Sequence, residues 1–130
     1  MKIVEVVAAA IFSPCGENVF IARRAKNAHQ GGLWEFPGGK KESDETPEQA
    51  LVRELDEELG IQATEYNRLM DVSHDYGDKK VHLDIFVVTA FTGKEHGAEG
   101  QETQWVSLKE LTDMTFPEAN KPIIEKLLAQ

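Results

Sequence analysis

The stretch RELDEELG, Arg53 to Gly60, decides how the rest of the chain is read. Gly60 suits the position just past a helix end, where the backbone turns left-handed. The turns before it carry Glu54, Asp56, Glu57 and Glu58. A helix C-terminus bears partial negative charge and is stabilised by Lys or Arg, so acids there are unfavourable. Glu54 and Glu58 are also like charges at i, i+4, a further cost of roughly a few tenths of a kcal/mol. A helix built for stability alone is not charged in this way. The pattern predicts that something positive sits against it in the working state.

Upstream, Thr46 is a good N-cap, Pro47 suits the first helical position, and Gln49 completes a T-x-x-Q capping box. Leu51, Val52, Leu55 and Leu59 recur at helical spacing as a core-facing stripe. Glu54, Glu57 and Glu58 fall on the neighbouring arc at i, i+3 and i+4. Three carboxylates so close are hard oxygen donors that suit Mg²⁺ or Mn²⁺. No Cys/His spacing supports zinc, and no EF-hand loop is present. Because Mg²⁺ is commonly shared with substrate phosphates, the cluster implies a phosphate-bearing ligand. Acidic helix faces are more often merely solvated. Two features weigh against that here. One is the position against the helix dipole. The other is PGGK, Pro37–Lys40, whose glycines let backbone approach a ligand and whose carbonyls can bind metal, although a Gly pair alone is usually only a turn.

The 130 residues predict one domain, 1–130, large enough for a core. A net charge of −9 argues against binding nucleic acid through charge, but not against small anionic ligands. One cysteine, Cys15, suits a reducing compartment. No apolar run is long enough to span a membrane, and the start lacks a signal-peptide pattern. A cytoplasmic protein is expected. Residues 3–12 and VFIARR (19–24) read as strands joined by a turn, LWEF (33–36) as a short strand, and PGGKKESDE (37–45) as a loop. Residues 64–75 and 80–91 flank a hairpin turn, YGDK. In the second arm Val81, Leu83, Ile85 and Val87 share one face, and His82, Asp84, Phe86 and Val88 the other. A polar loop leads to a strand around Trp105, a short helix capped by Ser107, and a final helix with Ile123, Ile124, Leu127 and Leu128 on its apolar side. This order suggests an α/β fold, a mixed sheet between helical layers.

From Gly39 the chain fits G-x5-E-x7-R-E-U-x-E-E-x-G-U, where U is a bulky aliphatic, at Gly39, Glu45, Arg53, Glu54, Leu55, Glu57, Glu58, Gly60 and Ile61. That spacing is the Nudix box, and the chain resembles the Nudix hydrolases over essentially its whole length. ARRAKNAHQGGLWEFPGGK, EGQETQWVSL and FPEAN look most like the MutT-like branch, which acts on oxidised guanine nucleoside triphosphates. The resemblance implies an α/β/α sandwich and Mg²⁺-dependent attack of water on phosphorus, with Mn²⁺ as a substitute. The products would be a nucleoside monophosphate and pyrophosphate. It assigns Glu54, Glu57, Glu58, Glu99 and the Gly38 carbonyl to metal. Arg53 and Glu45 would form an ion pair orienting helix and loop. The catalytic group is then Glu54, Glu99 and Arg53, with Glu54 favoured as general base and Glu99 second. Without the resemblance, Glu99 is as readily a solvated loop acid.

An acidic site that binds a polyanion needs cations, and Arg24, His29, Lys40 and Lys79 are candidates. For each taken alone, a surface role is the better reading. Arg24 and His29 match the branch, and Lys79 stands where the branch has arginine, keeping charge but losing the bidentate fork. By resemblance Phe36 and Asn120 read the base, although Asn120 by itself would be read as a helix cap. Oxidation at C8 turns guanine N7 from acceptor into donor, so an Asn amide can match O6 and N7–H together. Adenine could also fit a flipped amide, so Asn120 alone cannot exclude it. A pyrimidine enzyme acting on CTP is the nearest rival, and an acid in place of Asn120 would favour it. A non-catalytic sensing module is a second rival, which loss of box glutamates would mark; none is lost. The expected partner is a small nucleoside triphosphate bound by a monomer, with no stable nucleic-acid or membrane contact.

Overall fold

Strand β1 (Ile3–Phe12) runs through the middle of a mixed sheet. The computed structural model describes residues 3–23 and 32–129. β1 pairs antiparallel at its far end with β2 (Asn18–Arg23), which also pairs with β3 (Trp34–Glu35) and β7 (Thr103–Ser107). Nearer its start, β1 pairs antiparallel with β4 (Gly38–Lys40), Val7 opposite Gly39. Along its other edge it lies parallel to β6 (Lys80–Thr92), from Ile3 opposite Lys80 to Ile11 opposite Val88. β5 (Gln62–Asp75) pairs antiparallel with β6, and the two are joined by Tyr76–Lys79, the expected hairpin turn.

Strand alternation divides the apolar residues into two cores. Val7, Ala9, Ile11, Phe86 and Val88 pack against helix α1 (Pro47–Leu59) through Leu51, Leu55 and Leu59. Ala8, Ala10, Leu83 and Ile85 pack on the opposite face against helix α2 (Lys121–Leu128) through Ile123, Ile124 and Leu127. The α/β/α sandwich is as expected, and so are the two covered faces of β6. A 3-10 helix over Leu108–Asp113 is capped by Ser107, and a 3-10 turn over Glu118–Asn120 leads into α2. No helix among the described residues is long and apolar enough to cross a membrane.

Three expectations need correction. Leu128, expected on the apolar side of α2, is exposed. Ala50, not Val52, is fully buried in the α1 stripe; Val52 is half-buried. PGGKKESDE is not loop throughout, because Gly38–Lys40 is strand β4. A Cβ on Gly38 would overlap the Val7 carbonyl of β1, and one on Gly39 would overlap the Glu54 carboxylate. The glycines allow close packing of an extended strand on both sides, so their flexibility is not the point.

Candidate active site

Helix α1 starts where its sequence says it should. Gln49 N–H donates to Thr46 Oγ1 at 3.1 Å, and Thr46 N–H donates to Gln49 Oε1 at 2.9 Å. It ends at Gly60, with φ 70° and ψ 26°. Between these caps the helix presents its acids along the edge facing β4. Asp56 points elsewhere, accepting from Gln62 Nε2 at 2.8 Å.

Arg53 organises the rest. Its Nε donates to Glu45 Oε2 at 2.6 Å and its Nη2 to Glu45 Oε1 at 2.9 Å, a bidentate pair. Nη2 also donates to the Lys40 carbonyl at 3.1 Å, tying the helix to β4. Nη1 reaches Glu54 at 2.7 Å and Glu57 at 3.1 Å. The guanidinium holds the Glu45 carboxyl down at about 2, helped by the Glu42 backbone N–H. One cation therefore sets the loop, the strand and two of the three clustered helix carboxylates.

Glu58 is treated differently. Its carboxyl is pushed up to about 9, first by burial and then by the charges of Glu35, Glu54 and Glu99; only the Gly38 backbone N–H acts the other way. Its Oε2 is the one buried side-chain polar atom among the described residues with no hydrogen-bond partner. A buried carboxylate oxygen without a donor is costly. Among the described residues no cation pairs with it. A hard divalent ion would satisfy that oxygen and offset the surrounding negative charge, so the donor set fits one.

A second acidic group lies on the same face of the sheet. Glu5, His82 and Asp84 bring ligand atoms within 4.8 Å of one another. His82 Nδ1 meets Glu5 at 2.7 Å and Nε2 meets Asp71 at 3.0 Å, while Asp84 pairs with Arg68. Each carboxylate there already has a cationic or imidazole partner. The box acids are the group left incomplete.

Across β4 from these acids is a cavity of about 240 Å³. It brings together Phe36, Gly38, Lys40, Lys79 and Asn120, all expected site residues. Phe36 is buried and stacks on Phe116, ring centroids 5.3 Å apart. Asn120 is buried and precedes α2, but its side chain makes no cap hydrogen bond, so capping does not account for it. Glu99 is exposed, in the loop that docks on the end of α1. Arg24 and His29 lie outside the described residues. Glu35 and Tyr76 also line the cavity and were not singled out from sequence. Glu35 offers only alternation within LWEF as a signal. Its approach to Glu58 joins residues far apart in the chain, which that alternation does not show.

The chain matches the family model described as NUDIX domain over residues 7–126. It belongs to the NUDIX domain family. An Escherichia coli protein named 8-oxo-dGTP diphosphatase is 41% identical over 93% of this chain and 94% of its own length. Another E. coli protein, named CTP pyrophosphohydrolase, is 40% identical over 99% of this chain and 94% of its own. A solved structure from work on MutT of the fish pathogen Aliivibrio salmonicida and of Vibrio cholerae superposes with TM-score 0.89. It is 43% identical and covers 99% of each chain.

Proposed function

We propose that this Nudix hydrolase is a nucleoside triphosphate pyrophosphohydrolase that converts 8-oxo-dGTP and 8-oxo-GTP to the monophosphate and pyrophosphate. Such an activity clears mutagenic bases from the nucleotide pool, and we read the protein as a cytoplasmic monomer with a small-molecule substrate. Relatives at 41% and 37% identity carry the name 8-oxo-dGTP diphosphatase. The observation that carries the reading is the position of β4. Its glycines back onto Glu54 and Glu58, and the same strand lines the cavity that holds Phe36 and Asn120. A nucleotide with its base in that cavity has its phosphates at the acidic edge.

Nudix hydrolases generally work with a divalent metal ion, and we take it to be Mg²⁺ here, with Mn²⁺ able to substitute. Glu54, Glu57, Glu58, Glu99 and the Gly38 carbonyl would hold it. When bound, the ion lowers the pKa of water and neutralises charge on the phosphate oxygens. The chain's own residues do the remainder. Glu54, pinned by Arg53 and pressed on Gly39, takes the proton of the attacking water, with Glu99 as the alternative. The water oxygen bonds to phosphorus as the bond to the α–β bridging oxygen breaks and its electron pair leaves with that oxygen, giving the monophosphate and pyrophosphate. Arg53 touches Glu54 and Glu57 and acts by positioning them. Lys40 and Lys79 line the cavity and meet phosphate charge, as Arg24 and His29 would. The Asn120 amide accepts from N7–H and donates to O6, and Phe36 contributes backbone contacts to the base.

The similarity to a protein named CTP pyrophosphohydrolase supports a second reading, with a pyrimidine triphosphate in the cavity. A purified-protein panel of 8-oxo-dGTP, dGTP, dATP and CTP, each with Mg²⁺ and with EDTA, decides between them. The first reading requires the highest kcat/KM for 8-oxo-dGTP and none of it in EDTA. A preference for CTP replaces it with the second, and turnover in EDTA rejects both.

A further inference from the structure

Helix α1 has no basic residue in its last turn, and its end is capped instead by a loop. His96 N–H donates to the Leu59 carbonyl at 3.1 Å, and Ala98 N–H donates to the Glu58 carbonyl at 2.9 Å. These neutral donors satisfy the exposed carbonyls of the helix end without adding a cation that would compete for the carboxylates. The half-buried side chain of Gln101 completes the contact. Its Nε2 donates to the Glu58 carbonyl at 3.1 Å, and its Oε1 accepts from Glu99 N–H at 3.0 Å. A single amide therefore links the backbone of Glu58 to the backbone of Glu99. The Gln amide carries the donor and the acceptor on separate atoms at the end of one side chain, which this bridge uses together.

We propose that Gln101 is a positioning residue that fixes Glu99 against Glu58, so that the two carboxylates approach one ion together. This rests on the metal reading of those two glutamates. Glu99 is an exposed acid on a loop, and the bridge is what ties its backbone N–H to the Glu58 end of the helix; without it that backbone is free to move away. The helix itself is held at this end by Gly60 and by the Ala98 and His96 contacts, so loss of the bridge leaves α1 intact.

The test is Mn²⁺ binding to the nucleotide-free protein, followed by electron paramagnetic resonance. Gln101→Met keeps length and packing but removes both hydrogen bonds. Gln101→Glu keeps the acceptor for Glu99 N–H and sets a carboxylate against the Glu58 carbonyl. Both variants are made in the wild-type and Glu99→Gln backgrounds, with folding checked by thermal melting. The expected result is about a 10–100-fold weaker Mn²⁺ affinity in the wild-type background. In the Glu99→Gln background the same changes cost little more, because the effect passes through Glu99. Equal losses in both backgrounds, or none in either, overturn the role of Gln101. If wild type binds Mn²⁺ no better than a Glu57→Gln, Glu58→Gln double variant, the metal reading itself has failed, whatever Gln101 does.

Discussion

Two acidic groups share one face of this sheet, and they are built on opposite plans. In the first, Glu5, Asp71 and Asp84 surround His82 and Arg68. Both imidazole nitrogens are engaged and the buried Asp84 has its guanidinium. In the second, Arg53 reaches Glu45, Glu54 and Glu57 but not Glu58, whose buried Oε2 has no partner among the described residues. The first network is closed and ties three strands together. The second, among the described residues, leaves one carboxylate oxygen over. A half-satisfied polar network is costlier than an apolar core, so its persistence points to use rather than to stability. Proximity of carboxylates is therefore a poor guide to a metal site, and the donor left over is a better one.

The difference predicts a hierarchy of effects. Glu57→Gln and Glu58→Gln should each lower kcat by orders of magnitude in Mg²⁺, with the fold retained as judged by circular dichroism. The same hydrolysis assay on Asp71→Asn should give near-wild-type turnover. Near-normal kcat in either box variant breaks the comparison at its centre.

Selectivity should respond less steeply. Asn120→Ala leaves the base edge without its amide, costing about 1–3 kcal/mol per lost contact. The kcat/KM ratio of 8-oxo-dGTP over dGTP should fall by about one to two orders of magnitude, while slow hydrolysis of both persists. An unchanged ratio assigns Asn120 to the fold alone.

The smallest effect belongs to the closed network. Hydrogen bonding to Glu5, then to Asp71, raises the His82 pKa above its ordinary value. A group with a raised folded pKa adds stability that is fully present below its unfolded value, near 6.5, and is lost as pH rises through the folded value. Melting temperatures of wild type and His82→Asn should therefore differ most at pH 5–6 and converge above the folded pKa. The gap should be a few degrees at most, as befits a partly exposed pair. A gap that widens with pH contradicts the assignment.

What could be read in advance follows the range of the forces involved. Helix α1, its caps and the box spacing are local, and periodicity with capping chemistry suffices to find them. The hairpin at Tyr76–Lys79 is local as well. Strand β4 is not. Gly38 and Gly39 look like loop, and only their partners across space, Val7 and Glu54, show why a side chain is forbidden there. Asn120 reads as a helix cap until its side chain is found buried beside the cavity. Gln101 is invisible in sequence because its bonds go to backbone atoms of Glu58 and Glu99, which any residues would supply.

The claim beneath all of this is that Glu58 awaits a cation. Burial, then the charges of Glu35, Glu54 and Glu99, push its carboxyl up to about 9 from the ordinary carboxylate value of about 4.5. Between those values the folded state binds more protons than the unfolded state, so metal-free stability must fall as pH rises across that window. The direct test is thermal melting of wild type and Glu58→Gln at pH 8, in EDTA and then in Mg²⁺. In EDTA the Gln variant, which needs no proton taken up on folding at pH 8, should be the more stable, by an amount on the order of a few kcal/mol. Mg²⁺ should raise the wild type and leave the variant nearly unmoved. A wild type that is the more stable in EDTA, with an equal Mg²⁺ response in both proteins, would contradict the account.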